Sequence, residues 1–206
     1  MQLKLSEHSS GEIYHLLTQT IVPRPIAWVL TKNSNSDETY NLAPFSFFNA
    51  LTSAPPTLVV SIGKKPSGES KDTRANLGEG EHCVVHIPQV TQMQEVSDSA
   101  ATLDYGDSEL ERLNLSLESF EGFPLPRIKE SPIAFGCKVA KVIEWGETPQ
   151  ALILLEIEQA FVDDNYVGED DKGRLKIDAK NLNPLARLGA NEYASLGDVL
   201  SLARPK

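Results

Sequence analysis

Two clusters within residues 40–73 carry side chains suited to holding a ligand. The first is Asn41-Leu42-Ala43-Pro44-Phe45-Ser46-Phe47-Phe48-Asn49, where hydrogen-bonding groups and phenylalanines are interleaved around a proline. A half-buried strand alternates more cleanly, and a solvated loop does not carry so many aromatic rings. The second is Lys71-Asp72-Thr73, which follows a Gly/Ser/Lys-rich loop and leads into a short helical pattern at Arg74-Ala75-Asn76-Leu77. Asp and Thr serve as helix N-caps, and free N–H groups beside a lysine and a hydroxyl make a seat for a phosphate. Lys64 and Lys65 join Lys71 as a local basic pocket for a small anion. A planar aromatic ligand with a phosphate tail satisfies both clusters.

Other chemistries fit less well. His82 and His86 are four apart in a strand-like run, which separates them by about 13 Å on one face, too far to chelate one ion. The acidic run at 163–171 lacks the D-x-[DN]-x-[DN]-G order of a calcium loop and reads as solvated. No GxSxG is present, and the four histidines form no triad-like setting. Neither a metal site nor a catalytic side chain is assigned.

The elements that must position these clusters follow from pattern. Residues 11–20 have helical character. Residues 21–30 read as one strand stiffened by Pro23 and Pro25, which hold Arg24 extended between them. Residues 33–37 form a turn. Residues 57–62 are the strand that fixes both clusters; in the first cluster Phe45 and Phe47 share one strand face and Phe48 lies on the other, and at least one of the three is plain core. Of these rings only Phe47 is kept as a ligand neighbour. Residues 82–87 and 133–143 are further strands, and the most apolar run, 151–157, is a central one. Mixed helical spacing marks 89–101 and 107–115. Residues 163–172 read as a surface loop, and Asp178 caps a short helix through Leu182. Short strands broken by Pro and Gly, with helices set between them, predict a mostly β antiparallel barrel with helical additions, in a single domain over 1–206. The Rossmann GxGxxG and the P-loop are absent.

Composition narrows the partners. A formal charge of -10 over 206 residues disfavours nucleic acid and anionic membranes. The N-terminus has no apolar core for a secretory signal, and no apolar run is long enough to span a bilayer. The two cysteines, Cys83 and Cys137, are too few for a disulfide framework. The expectation is a cytoplasmic protein with reduced thiols.

Taken in order, Val22-Pro23-Arg24-Pro25-Ile26-Ala27, the 41–48 stretch, Ser61 in its strand, Lys71-Asp72-Thr73 and the closing Pro184-Leu185-Ala186-Arg187-Leu188-Gly189 with Tyr193-Ala194 resemble the flavin reductase-like proteins with the FMN-binding split barrel. The resemblance covers roughly residues 21–193. It implies a six-stranded Greek-key barrel and a homodimer, with FMN near the subunit interface. By the family's pattern Ser46, Ser61, Lys71, Asp72 and Thr73 lie around the phosphate and ribityl chain, and Asn41, Ala43, Pro44 and Phe47 along the ring. Arg24 and Trp28 border the same pocket, Arg24 being a candidate for a positive edge beside the pyrimidine end. Arg187, Leu188, Gly189 and Tyr193 shape the rim. His86 stands where the family often has asparagine.

The activity implied is that of an NAD(P)H:flavin oxidoreductase in which a nicotinamide donor passes hydride to FMN, with an unknown electron acceptor. The cofactor carries the redox chemistry, so no acid–base residue need be conspicuous. The alternative is an FMN-binding electron carrier or storage protein without nicotinamide chemistry. The related pyridoxamine-phosphate oxidase branch is a third reading, but its substrate-binding residues are not recognisable in this chain.

Overall fold

Ser9 and Glu12 start the first helix by capping one another: Glu12 N–H donates to Ser9 Oγ at 3.3 Å, and Ser9 N–H donates to the Glu12 carboxylate at 2.8 Å. The computed structural model describes all residues except 35–38, 66, 102, 104–106, 114, 147–149, 204 and 206, and the side chain of residue 111. In chain order its elements are α1 (Ser10–Thr20), β1 (Arg24–Pro25), β2 (Ala27–Lys32), β3 (Tyr40–Phe45), β4 (Phe48–Ser53), β5 (Pro56–Ile62), α2 (Asp72–Asn76), β6 (His82–His86) and α3 (Met93–Asp98). There follow β7 (Leu117–Glu118), β8 (Arg127–Ile128), β9 (Ile133–Trp145), β10 (Gln150–Val162), β11 (Val167–Glu169), β12 (Leu175–Ile177), α4 (Ala179–Leu182), β13 (Ala186–Arg187) and β14 (Tyr193–Ala194). The turn expected at 33–37 falls largely outside the described residues.

The main sheet is antiparallel throughout, with seven strands in the order β3-β2-β6-β9-β10-β5-β4. This corrects the expected six-stranded closed barrel: among the described residues no ladder joins the edge strands β3 and β4. Only Ser46 and Phe47 separate those two strands in sequence, so the sheet must curl to bring its edges close. There the Ser61 N–H on β5 donates to Phe47 O at 2.8 Å in place of a ladder. The run at 151–157 lies inside β10, an interior strand as expected.

Residues 21–30 are not one strand. Pro23 and Pro25 have no N–H to give to a ladder, and the chain divides at Ile26. Arg24 and Pro25 pair instead with Arg187 and Ala186, and β13 pairs in turn with β14. The Pro-Arg-Pro segment and the closing motif thus form one small sheet. The acidic 163–172 segment also departs from a plain loop, because Val167–Glu169 pairs with Leu175–Ile177 as a hairpin. Asp178 caps α4 as expected, accepting from Asn181 N–H at 3.1 Å.

Strand β2 is buried on both faces, and its alternation explains the helical additions. Ala27 and Val29 join Val60, Ile62, Val85 and Ile153 in the concavity of the curled sheet. Trp28 and Leu30 point the other way and pack with Leu42 of β3 and with Val96, Leu125 and Ile128, contributed by α3 and the segments around β8. Cys83 and Cys137 are register partners on β6 and β9, both free and buried. Hydrogen bonding to Cys83 and burial push the Cys137 thiol well up, which keeps it unreactive.

His86 ties the second core to the sheet. Ile128 N–H donates to its Nε2 at 3.0 Å, so Nδ1 must carry the proton and donate to Trp28 O at 3.1 Å. Burial lowers its pKa from 6.5 to about 4. The unfolded chain therefore binds a proton before the native protein does, and stability falls as pH drops through that window, by about 3 kcal/mol. Urea midpoints at successive pH values check this. His86→Gln should flatten the wild-type slope between neutral pH and the carboxylate range, and a variant with an unchanged slope removes His86 as its source.

Candidate functional site

A cleft in two lobes opens along the edge strand β3 and the turn that follows it. The first lobe, about 420 Å³, is walled by Ser46, Phe47, Ser61, Gln150 and Tyr193. The second, about 390 Å³, is walled by Asn41, Ala43, Asp72, Thr73 and Glu109. Pro44, Phe45, Lys64, Lys71 and Ala100 belong to both and form the waist between them. Pro44 is tolerated because β3 is an edge strand.

Phe45 and Phe47 do not share a face, because the chain leaves the strand at Ser46. Phe45 packs into the core, and its ring lies 5.6 Å from Lys71 Nζ. Phe47 turns outward, 39% exposed, with its ring centroid 6.1 Å from that of Tyr14 on α1. Phe45 is thus a wall residue that the sequence pattern, which keeps only Phe47 as a ligand neighbour, does not single out.

Lys71-Asp72-Thr73 is rearranged relative to expectation. The N-cap is Lys71, with no side-chain cap, and Asp72 and Thr73 are buried in the first turn of α2. Each has a stronger partner than the helix end. Asp72 Oδ1 lies 2.7 Å from Lys65 Nζ, an ion pair without hydrogen-bond alignment. Thr73 Oγ1 accepts from Asn41 Nδ2 at 2.8 Å. Asn76 Nδ2 donates to Thr31 Oγ1 at 3.0 Å and to Asn33 Oδ1 at 3.2 Å, which completes a buried polar patch holding α2 against β2 and β3. Lys71 is fixed at the head of this patch. It is solvent-accessible, yet the cleft walls desolvate it and lower its ammonium pKa, and among the described residues no carboxylate pairs with it.

Three expected residues stand behind the walls. Arg24, 6% exposed, donates to Thr18 O, Ile21 O at 2.9 Å, Leu188 O at 2.6 Å and Ser46 Oγ at 3.3 Å. Trp28 is fully buried and donates to Ser99 Oγ at 2.8 Å, supporting a residue of the second lobe. Gly189 packs the closing segment on α1, where a Cβ would lie 2.4 Å from Gln19 Cγ. Arg187 stacks on Tyr193 at 4.5 Å and shapes the first lobe.

The cleft therefore gathers Ser46, Phe47, Ser61 and Tyr193 in one lobe and Asn41, Ala43, Asp72 and Thr73 in the other, with Pro44 and Lys71 at the waist between them. The ring and phosphate groupings implied by resemblance are each divided between lobes. Gln150 and Glu109 were missed. Gly63 carries a weak signal for Gln150, since a Cβ there would lie 2.9 Å from its amide nitrogen; nothing in the sequence marks Glu109. Among the described residues no group of three or more His, Cys, Asp or Glu gathers to hold a metal, and no helix is long and apolar enough to cross a membrane.

Residues 19–177 match the family described as flavin reductase like domain. An uncharacterized protein of Halalkalibacterium halodurans is 36% identical over 209 residues, covering 100% of this chain and 97% of that one. Among solved structures the fold is similar to nitrilotriacetate monooxygenase component B from Bacillus cereus, with 32% identity, a TM-score of 0.88 and 98% of each chain covered. It is similar also to the 2-nitrobenzoate 2-nitroreductase NbaA of Pseudomonas fluorescens, with 27% identity, a TM-score of 0.86, and 100% of this chain and 96% of that one covered. With its extent matched at the level of sequence and of fold, the chain belongs to the flavin reductase-like family.

Proposed function

We propose that the protein binds FMN in this cleft and acts as an oxidoreductase that draws hydride from NAD(P)H, working as a homodimer. The observation that carries the reading is Lys71, a partly desolvated cation with no acidic partner among the described residues, at the waist of a cleft walled by Phe45 and Pro44. Such a cation is a receptor for an anion, and the adjoining walls suit a planar ring. The residues present fit FMN on both counts.

Bound FMN supplies a two-electron centre able to accept hydride from a nicotinamide. Lys71 and Lys64 hold the phosphate, with the Ser46 and Ser61 hydroxyls as further donors. Asn41, Ala43, Pro44 and Phe47 border the ring, and Tyr193 closes the first lobe. Asp72 acts through Lys65, anchoring the basic loop, and Thr73 acts through Asn41. Arg24 aims Ser46, while Trp28 and Gly189 support the walls from behind. Exposed Tyr14, Leu17 and Ile21 on and beside α1, with Leu51 on β4, offer apolar surface for a second copy near the first lobe.

A visible spectrum, taken before and after adding FMN and desalting, tests the binding. A retained flavin band is expected, followed by NADH or NADPH oxidation when free FMN is supplied. A retained band without turnover with either nicotinamide makes the protein an electron carrier. Neither band nor turnover removes the flavin reading.

A further inference from the structure

The second lobe holds two buried carboxylates in unlike settings. Asp72 is paired with Lys65. Glu109 comes from a short turn packed on β3, is 6% exposed, and accepts the Leu42 N–H at 2.9 Å through Oε2. Among the described residues no cation forms an ion pair with it. Around it stand Asp72 from α2, Lys64, Lys65 and Lys71 from across the lobe, and Arg112 on its own turn. Burial and the Asp72 charge raise its carboxyl pKa, against the opposing pull of the Leu42 N–H and Arg112. Asp72 has a lysine against it and Glu109, among the described residues, has none, so burial favours the neutral form of Glu109.

We propose that Glu109 is the proton-holding wall of the second lobe: when FMN fills the cleft, Glu109 binds one proton and donates its O–H to an acceptor atom on the ligand. This rests on the FMN reading of the cleft. Filling the lobe removes the water that solvates a Glu109 anion, while its Oε2 stays occupied by Leu42. On this proposal Oε1 serves the ligand, toward which a neutral acid is a donor and an anion only repels acceptors. The role is one of binding and orientation, and it makes affinity depend on pH. Carbonyl and ring-nitrogen acceptors on the ligand are favoured over donors at that edge.

Calorimetric titration with FMN, in two buffers of equal pH and different ionisation heat, counts the protons taken up. Wild type should take up about one proton more per FMN than Glu109→Gln, and its affinity should fall about tenfold per pH unit above the acid's midpoint. The difference between the proteins cancels the titration of the FMN phosphate, which they share. Glu109→Gln keeps an oxygen for Leu42 and should show no such fall. Asp72→Asn provides a second test, because removing that charge should move the midpoint to lower pH. Equal proton counts and equal pH profiles in wild type and Glu109→Gln overturn the role of Glu109 while leaving FMN binding in place. Failure of both proteins to bind FMN overturns the flavin reading, and this role with it.

Discussion

Lys71→Ala should weaken FMN binding by about 10- to 100-fold, the cost of about 1.5–3 kcal/mol for a charge-assisted hydrogen bond lost from a partly dry site. Three features place the effect in that range. Part of the desolvation that lowers the Lys71 ammonium is already present in the ligand-free protein, so an arriving phosphate strips less water from it than from a fully solvated lysine. The lysine is the N-cap of α2, whose first turn is held by Thr73 and Asn41, so little backbone ordering remains for binding to supply. No acid competes for it among the described residues. Lys64 shares the waist and is exposed as Lys71 is, but it sits in the basic loop rather than at a helix start, and Lys64→Ala should cost less. Flavin-fluorescence titration at two salt concentrations measures both, with the smaller salt dependence expected in Lys71→Ala. Unchanged affinity in that variant would show that the phosphate lies elsewhere.

The parts of this site legible in sequence are those where chemistry and position are local. Pro44 beside Phe45 and Ser46 marks an unusual strand end, and Lys71-Asp72-Thr73 marks a helix start, whatever surrounds them. The errors came from partners distant in the chain. Asp72 and Thr73 have the right chemistry for N-caps, but Lys65 and Asn41 take them, and Asn41 lies 32 residues away from Thr73. Glu109 reaches the site across 67 residues, through a single bond to Leu42. Strand alternation likewise revealed β5, β6, β9 and β10 without revealing how the sheet ends. Whether the edges close depends on the two residues Ser46 and Phe47, whose backbone turns away from a ladder. That same turn sends Phe45 inward and Phe47 outward, reversing an inference that assumed continuous pleating. The strand 21–30 divides for a different reason: its prolines stiffen the chain, but their missing N–H groups also keep Arg24–Pro25 out of the main sheet, which the chain joins only from Ala27.

Arg24 shows how resemblance and geometry lead to different experiments at one residue. As a positive edge for a flavin ring, its loss would cost affinity and leave the fold intact. Its donors are directed inward, however, to Thr18 and Ile21 at the end of α1, to Leu188 in the closing segment and to Ser46. One guanidinium therefore joins three parts of the chain that meet nowhere else in a regular ladder except β1 with β13. Arg24→Ala should leave buried carbonyls without donors and open a void, destabilising the protein by about 3–5 kcal/mol. For a chain of this size that lowers Tm by about 10 °C. Arg24→Lys should recover little, since a single ammonium cannot span the directions served by a planar fork. Ser46→Ala isolates the arm that reaches the cleft, and should weaken FMN binding by less than about tenfold with little change in Tm, as a neutral hydrogen bond would. Thermal melts and FMN titrations on the same three variants separate the roles. Stability lost with Arg24 and only modest affinity lost with Ser46 make Arg24 the clasp behind the wall. An Arg24→Ala protein that melts like wild type but no longer holds FMN would return the guanidinium to the ligand.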